Sequence, residues 1–202
     1  MKISNSTRAI LIITLIILID QILKVWIKTN MVIGQEYRVF GDWFIIRFIE
    51  NNGMAFGMEF WGKYGKLFLT LFRIVAVTAI GIYLYRICKR KINKWYIATI
   101  ALIFAGALGN IIDSVFYGVL FDSSNMKIAQ FLPEAGGYSS WLHGKVVDMF
   151  YFPIFEGNFP DWFPFWSGEH FIFFRPIFNI ADAAISVGIV MFFFTQKLVN
   201  KK

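Results

Sequence analysis

The segment RPIFNIADAAISVGIVMFFF, Arg175 to Phe194, decides the class of fold. It is apolar enough to lie in a membrane, yet it carries Asn179 and Asp182 near its start. An ionisable side chain inside a membrane helix costs free energy and therefore normally has a partner or a function. The segment thus predicts a membrane helix with a polar site near one end.

The composition of the whole chain supports a membrane protein. Of its 202 residues, 57% are hydrophobic, 19% are aromatic and only 16% are charged. Such values are typical of integral membrane proteins. The net charge of +7 could indicate a nucleic-acid-binding protein, but the basic residues stand between long apolar runs rather than in a solvated domain. We therefore expect no nucleic acid among the partners.

The apolar runs predict the number of membrane spans. A bilayer core of about 30 Å needs about 20 helical residues, and four segments meet this requirement. The first has no small-residue cleavage site after it and continues into DQILK, so we interpret it as an uncleaved anchor. The predicted fold is an all-α integral membrane protein in a single domain, 1–202, with four transmembrane helices at roughly 9–27, 67–85, 95–112 and 177–194.

The distribution of charge predicts how the chain crosses the membrane. Basic residues concentrate on the cytoplasmic side of membrane proteins. Ten basic residues and no acidic one occupy the N-terminus, the connection after the second span and the C-terminus. This bias predicts that both termini are cytoplasmic. The residues are Lys2, Arg8, Arg86, Lys89, Arg90, Lys91, Lys94, Lys197, Lys201 and Lys202.

Two long connections are then expected outside the cytoplasm. The first, near 29–66, contains YRVFGDWFIIRFIE, whose partial alternation of β-branched and aromatic residues predicts a pair of strands. The second, 114–176, is rich in aromatic residues and prolines, which disfavour a long helix. We expect a small extracytoplasmic β-containing subdomain and an aromatic extracytoplasmic loop at the level of the lipid headgroups.

Several polar residues lie within the predicted spans. Asp20 and Lys24 are four residues apart and can pair on one helical face. The third span ends in GALGNIIDSVFYG, where Asn110 and Asp113 share a face near the outer end. They could support a functional site or belong to an ordinary polar terminus, and the sequence alone leaves both readings open.

Asp182 is the polar residue that most needs a partner. We expect it about one and a half turns inside its helix, with Asn179 one turn earlier on the same side. The helix dipole favours an acid there, but the apolar flanks would desolvate it. Asp148, in HGKVVDMFYF, is the candidate partner. Two converging carboxylates share a proton, so that one acts as base and the other as acid, which is how aspartic proteases activate water.

Thiol and zinc chemistry find little support in the sequence. The chain has a single cysteine, Cys88, which can form no internal disulfide or Cys-pair metal motif. Its two histidines, His143 and His170, belong to no HExxH pattern. We therefore expect no metal and no cofactor.

Five sequence blocks resemble those of a known family. In chain order they are DQILK, NNGMAFG, GNIIDS, VVDMFYF and FNIADAAISVG, and they extend over most of the chain. Together with four predicted spans, they resemble the signature blocks of lipoprotein signal peptidase (signal peptidase II). This family consists of bacterial aspartic peptidases that remove signal peptides from prolipoproteins.

The resemblance implies a site and a reaction. Asp148 and Asp182 would be the catalytic pair near the extracytoplasmic face of the bacterial cytoplasmic (inner) membrane. The substrate would be a prolipoprotein, cut just before a cysteine that already carries diacylglycerol. Membrane lipids and globomycin-type inhibitors are further implied partners. Asn51, Gly53, Asn110, Asp113 and Asn179 would line or support the site, and Asp20 and Lys24 would buttress it.

One residue departs from the family pattern. The family usually has an arginine directly after the aspartate of the GNxxD block, whereas this chain has Ser114. We hypothesise that Arg175, close before Asn179 and Asp182, replaces that arginine.

Two other classes of function remain possible at this stage. A small proton-coupled transporter or channel-like protein could use the same acids as a relay, although these concentrate near one end of the spans. A non-catalytic assembly subunit would tolerate replacement of either aspartate.

Overall fold

The computed structural model describes residues 3–53 and 62–198. Long helices dominate these residues. Helix α3 continues through a π-helical turn, Asp113–Tyr117, into the single helical turn α4. The helices are α1 (Asn5–Asn30), α2 (Gly62–Cys88), α3 (Lys94–Ile112), α4 (Gly118–Leu120) and α5 (Ile180–Thr195).

Within the described residues, three helical segments are long and apolar enough to cross a membrane. They are α1, the described part of α2 from Tyr64, and α3 with its continuation to Leu120. Helix α5 is also apolar, but its 16 residues make it only about 24 Å long. The prediction of a helical membrane protein is therefore confirmed as three spans and a fourth, shorter apolar helix.

Helices α1 and α2 carry apolar side chains on their outer surfaces and polar ones inside. Ile10 and Leu15 on α1 and Val75 on α2 are each more than half exposed, whereas Asp20 and Lys24 are fully buried. A water-soluble protein shows the opposite arrangement. The exposed apolar surface is what lipid tails accept, and the buried polar groups must satisfy one another.

Glycines bring α3 and α5 into close contact. A Cβ atom added to Gly106 would lie 2.2 Å from the backbone oxygen of Ala181, and one added to Gly188 would lie 2.6 Å from a side-chain carbon of Ile103. Only glycine allows this approach, as is common where membrane helices pack. The packing fixes the first turn of α5 against the outer part of α3.

A small antiparallel sheet covers one end of the helices. Its strand order is β1-β2-β3-β6, and a separate hairpin is formed by β4 and β5. The predicted strand pair in the first long connection is confirmed as β1 and β2. The strands are β1 (Glu36–Phe40), β2 (Phe44–Asn51), β3 (Val146–Tyr151), β4 (Phe155–Asn158), β5 (His170–Phe173) and β6 (Ile177–Phe178).

The sheet brings the second connection into the core, which was not predicted. Strand β3 lies between β2 and β6, and five of its six residues are buried. A strand buried on both faces shows no alternation of polar and apolar residues, so its sequence lacks the usual signal. Strand β6 leads directly into α5, so the predicted start of that helix at residue 177 was wrong by three residues.

Candidate active site

Asp182 lies in the first turn of α5, not one and a half turns inside it as predicted, because β6 occupies the residues before. Asn179 is the N-cap of the helix: its side-chain oxygen accepts a hydrogen bond from the backbone N–H of Asp182 at 2.9 Å. In return, the Asp182 carboxylate accepts from the backbone N–H of Asn179 at 3.4 Å. This capping box holds the half-buried carboxylate at the positive end of the helix dipole.

Asp148 lies on the central strand β3 and is only 4% exposed. Its Oδ1 accepts a hydrogen bond from the side-chain amide of Asn179 at 2.7 Å, and its Oδ2 accepts one from Asn51 at 3.3 Å. Burial, and secondly the negative charge of Asp182, raise the pKa of Asp148 to about 7. Its carboxyl group can therefore hold or release a proton near neutral pH.

The side-chain amides of Asn110 and Asn179 connect the two carboxylates. Asn110 donates from Nδ2 to Oδ1 of Asp182 at 2.7 Å. Its Oδ1 accepts from Nδ2 of Asn179 at 3.1 Å, and Asn179 also bonds to Asp148. A continuous chain of hydrogen bonds thus runs from one aspartate to the other.

A buried ion cluster of Asp20, Lys24 and Asp113 lies next to this network. The ammonium of Lys24 lies 2.8 Å from a carboxylate oxygen of Asp20 and 2.8 Å from one of Asp113, and all three side chains are fully buried. The other oxygen of Asp20 accepts from the backbone N–H of Ala181 at 3.0 Å, and Asp113 accepts from that of Val147 at 3.2 Å. The cluster therefore ties α1 and α3 to the residues next to both candidate catalytic groups.

The turn after β2 places Asn51 beside Asp148. The Asn51 side-chain oxygen accepts from the backbone N–H of Gly53 at 2.8 Å, and Gly53 has a φ of +88°, which favours glycine. The guanidinium of Arg73 donates to the carbonyl of Gly53, and a Cβ atom at Gly53 would lie 2.5 Å from it. The rest of the NNGMAFG block, from residue 54, lies outside the described residues.

Ser114 is fully buried beside the site. Its hydroxyl donates to the backbone oxygen of Asn110 at 3.0 Å and accepts from the ammonium of Lys66 at 3.4 Å. A lysine of α2 therefore reaches the position at which the resemblance predicts an arginine.

Arg175 does not take part in the network, which corrects the hypothesis made for it. It is exposed, and among the described residues it has no hydrogen bond or ion pair with Asn179 or Asp182. The N-cap Asn179 comes four positions after Arg175, and the chain between them, which includes β6, is largely extended. Four extended residues span about 13 Å. Arg175 instead lines a surface hollow that includes Glu169 and Trp166.

Lys66 and Arg73 were assigned no role from the sequence. They are basic residues seven apart in an apolar helix and therefore share a face. That spacing was the available signal, but their carbonyl partners are provided by a turn more than ten residues away, which the spacing cannot predict.

The arrangement provides a proton donor and a proton acceptor close together. Asp148 is deeply buried and titrates near pH 7, while Asp182 accepts hydrogen bonds at a helix N-terminus. Such a pair can activate a water molecule and protonate a leaving group. Within the described ranges, no cluster of three or more His, Cys, Asp or Glu side chains could hold a metal ion.

The sequence matches one family over most of its length. Residues 12–198 match the family model described as signal peptidase (SPase) II. A lipoprotein signal peptidase from Porphyromonas gingivalis is 52% identical over 184 residues, which cover 89% of this chain and 78% of that protein. One from Amoebophilus asiaticus is 38% identical over 180 residues, which cover 88% and 72% of the two chains.

A solved structure has a similar fold. It is described as a bacterial membrane enzyme structure determined by the in meso method at 1.9 Å resolution. The superposition has a TM-score of 0.61 at 27% sequence identity and covers 93% of this chain and 91% of the other.

Proposed function

The chain belongs to the signal peptidase II family, and from this premise we propose that Asp148 and Asp182 are its catalytic pair. The chain is a membrane protease that removes signal peptides from prolipoproteins. The observation that carries the proposal is the hydrogen-bond chain that joins the two carboxylates through Asn179 and Asn110.

Asp182 is the base of the proposed mechanism. Its carboxylate accepts hydrogen bonds from Asn110 and from the backbone of Asn179 at the start of α5. These donors hold the carboxylate in place at the N-terminus of the helix. It takes a proton from water as the water oxygen attacks the scissile carbonyl carbon.

Asp148 is the acid. Its pKa is raised to about 7, so the protonated form is available near neutral pH. The protonated carboxyl donates a hydrogen bond to the oxyanion of the tetrahedral intermediate. When the C–N bond breaks, the proton held by Asp182 passes to the departing amine, and the pair returns to its starting state.

The substrate recognised is the form in which the cysteine after the cleavage site carries diacylglycerol. Its scissile bond lies at the membrane surface because lipid and signal peptide are both anchored there. The first turn of α5, which carries Asp182, and strand β3, which carries Asp148, hold the proposed catalytic groups at the corresponding end of the helices. Globomycin-type compounds are expected to compete for this position, and membrane lipids to surround it.

The proposed orientation follows from the charge bias. Both termini face the cytoplasm of a bacterium, α5 crosses the inner membrane as a fourth span, and the sheet lies outside. In this arrangement the short α5 is extended at its outer end by β6, which places Asp182 near the extracytoplasmic surface. The transporter alternative loses its basis, since the relatives are proteases.

The proposal is tested with purified protein in detergent. A diacylglyceryl-modified prolipoprotein and its unlipidated twin are incubated with wild type, Asp148→Asn and Asp182→Asn, and the products are identified by mass. Asp161→Asn, at an exposed position, is the matched control. We expect cleavage before the lipidated cysteine by wild type and the control, and none by either aspartate variant. Full activity of one variant would remove that residue from the mechanism.

A further inference from the structure

Two basic residues of α2 lie beside the catalytic site without a role in the mechanism above. Lys66 is only 7% exposed, and among residues 3–53 and 62–198 no carboxylate oxygen lies within 4 Å of its ammonium. Arg73 is half-buried on the same face, two turns along the helix. A buried charge without a close counter-ion is costly, so both residues need an explanation.

Both cations bind backbone carbonyls of a single turn. The ammonium of Lys66 donates to the carbonyl of Asn52 at 2.9 Å, and the guanidinium of Arg73 donates to the carbonyl of Gly53. Hydrogen bonds from charged donors are stronger than neutral ones. Two successive peptide groups are therefore held against α2, which leaves this turn little freedom to move.

The clamped turn carries a residue of the catalytic network. Asn51 donates to Asp148 at 3.3 Å and accepts from the backbone N–H of Gly53 at 2.8 Å. The first of these bonds is already long, so a small shift of the turn would break it. The contacts of Lys66 and Arg73 with the turn therefore help to determine where Asn51 lies relative to the Asp148 carboxyl.

Arg73 also acts on the proposed catalytic pair through its charge. Its guanidinium interacts electrostatically with both Asp182 and Asp148. Lys24, which is paired with Asp20 and Asp113, also interacts electrostatically with Asp148. Of the two cations, Arg73 is the one without a close carboxylate partner among the described residues.

We propose that Lys66 and Arg73 are positioning residues, which clamp the Asn51–Gly53 turn against α2 and so hold the Asn51 amide on Asp148. Lys66 together with Ser114 takes the place of the arginine that the family resemblance predicts at position 114. This inference rests on the proposed catalytic function of Asp148.

Moving the cation from α2 to position 114, in the π-helical turn after α3, tests the second part of the proposal. The ammonium of Lys66 lies 3.4 Å from the hydroxyl of Ser114. When Lys66 is shortened to alanine, an arginine side chain from position 114 can occupy the vacated volume and reach the carbonyl of Asn52. The double variant Lys66→Ala/Ser114→Arg therefore keeps one cation in this space but supplies it from a different helix.

The experiment compares single-turnover and steady-state cleavage of the lipidated prolipoprotein by the full-length protein. The variants are Lys66→Ala, Lys66→Arg, Arg73→Gln and the double variant, with Lys89→Ala as the matched control at an exposed position near the end of α2. We expect kcat to fall about 10- to 100-fold in Lys66→Ala and Arg73→Gln, the effect of losing a charged hydrogen bond. KM should change much less, because the turn acts on Asp148 rather than on substrate binding.

Recovery of kcat in these variants distinguishes a positioning role of Lys66 from a role in stability alone. Lys66→Arg and the double variant should each regain at least half of the lost factor in kcat, measured per folded molecule by active-site titration. Wild-type kcat in Lys66→Ala, or a loss confined to melting temperature and yield, would overturn the proposal. Absence of recovery in the double variant, with recovery in Lys66→Arg, would overturn the exchange with Ser114.

Asp148→Asn is measured in parallel, so that failure of the two proposals can be told apart. If Asp148→Asn cleaves as fast as wild type, the catalytic assignment fails, and the clamp proposal fails with it. If Asp148→Asn is inactive while both α2 variants keep wild-type kcat, only the clamp proposal fails.

Discussion

The replacement Asp148→Asn should stabilise the folded protein by an amount that depends on pH. The site buries a carboxyl group whose ionised form is disfavoured by burial and by the charge of Asp182. An amide of the same shape has no ionised form and keeps the volume of the side chain. Loss of activity and gain of stability are therefore expected from the same substitution.

The size of the effect follows from the pKa. Burial raises the pKa of Asp148 from its ordinary value of 3.8 to about 7, and one pH unit corresponds to about 1.4 kcal/mol. Ionisation in the folded state thus costs up to about 4 kcal/mol relative to the unfolded chain. Below pH 3.8 both states are protonated and the cost is absent. It grows as the pH rises and is complete above about pH 7.

The assay is thermal unfolding of wild type and Asp148→Asn in one detergent, from pH 4.5 to 8.5. The variant should gain melting temperature relative to wild type as the pH rises, and the difference should level off above about pH 8. Altered hydrogen bonds with Asn51 and Asn179 add an offset that does not depend on pH, so the slope is diagnostic. The exposed control Asp161→Asn should show no such slope. A pH-independent difference for Asp148→Asn would refute the assignment of a raised pKa.

Three further predictions concern the same site. Because the proposed mechanism needs protonated Asp148, kcat/KM of wild type should fall as the pH rises through about 7; a flat initial-rate profile from pH 6 to 8.5 would contradict this. Lys24→Met leaves Asp20 and Asp113 buried without their cation and should lower the free energy of unfolding by about 3–5 kcal/mol, with partial recovery when Asp113→Asn is added. Gly106→Ala forces a methyl group into the backbone of α5 and should destabilise by about 1–3 kcal/mol; an unchanged melting temperature would show that the helices separate freely.

Hydropathy was sufficient to find the helices, because a membrane span needs a long uninterrupted apolar run. It could not find the start of α5. Ile177 and Phe178 are as apolar as the helix that follows, and composition does not distinguish two strand residues from a helical turn. Asn179 was a better signal, since asparagine is a favoured N-cap. Reading it as a cap would have placed Asp182 in the first turn.

The parts of the site that the sequence could not predict depend on contacts between distant segments. Strand β3 brings Asp148 between β2 and β6, although it carries no alternating pattern of its own. Lys66 reaches Ser114 and Asn52 from a different helix. The sequence showed Ser114 where the resemblance predicts an arginine, but only the packing of α2 against the π-helical turn after α3 revealed that Lys66 lies beside Ser114.

The ion cluster fixes the orientation of the Asn110 amide, and this bears on the roles proposed for the two aspartates. An asparagine amide can turn by 180° and present either a donor or an acceptor. The ammonium of Lys24 donates to Oδ1 of Asn110 at 3.0 Å. Because an ammonium can donate only to an acceptor, the oxygen of the amide must face Lys24, and Nδ2 must point to Asp182. That donor and the backbone N–H of Asn179 both bind the Asp182 carboxylate. Asp148 receives two donors as well, but on the buried central strand desolvation outweighs them. The fixed orientation of one amide and the unequal burial of the two carboxylates therefore support the proposal that Asp182 is the base and Asp148 the acid.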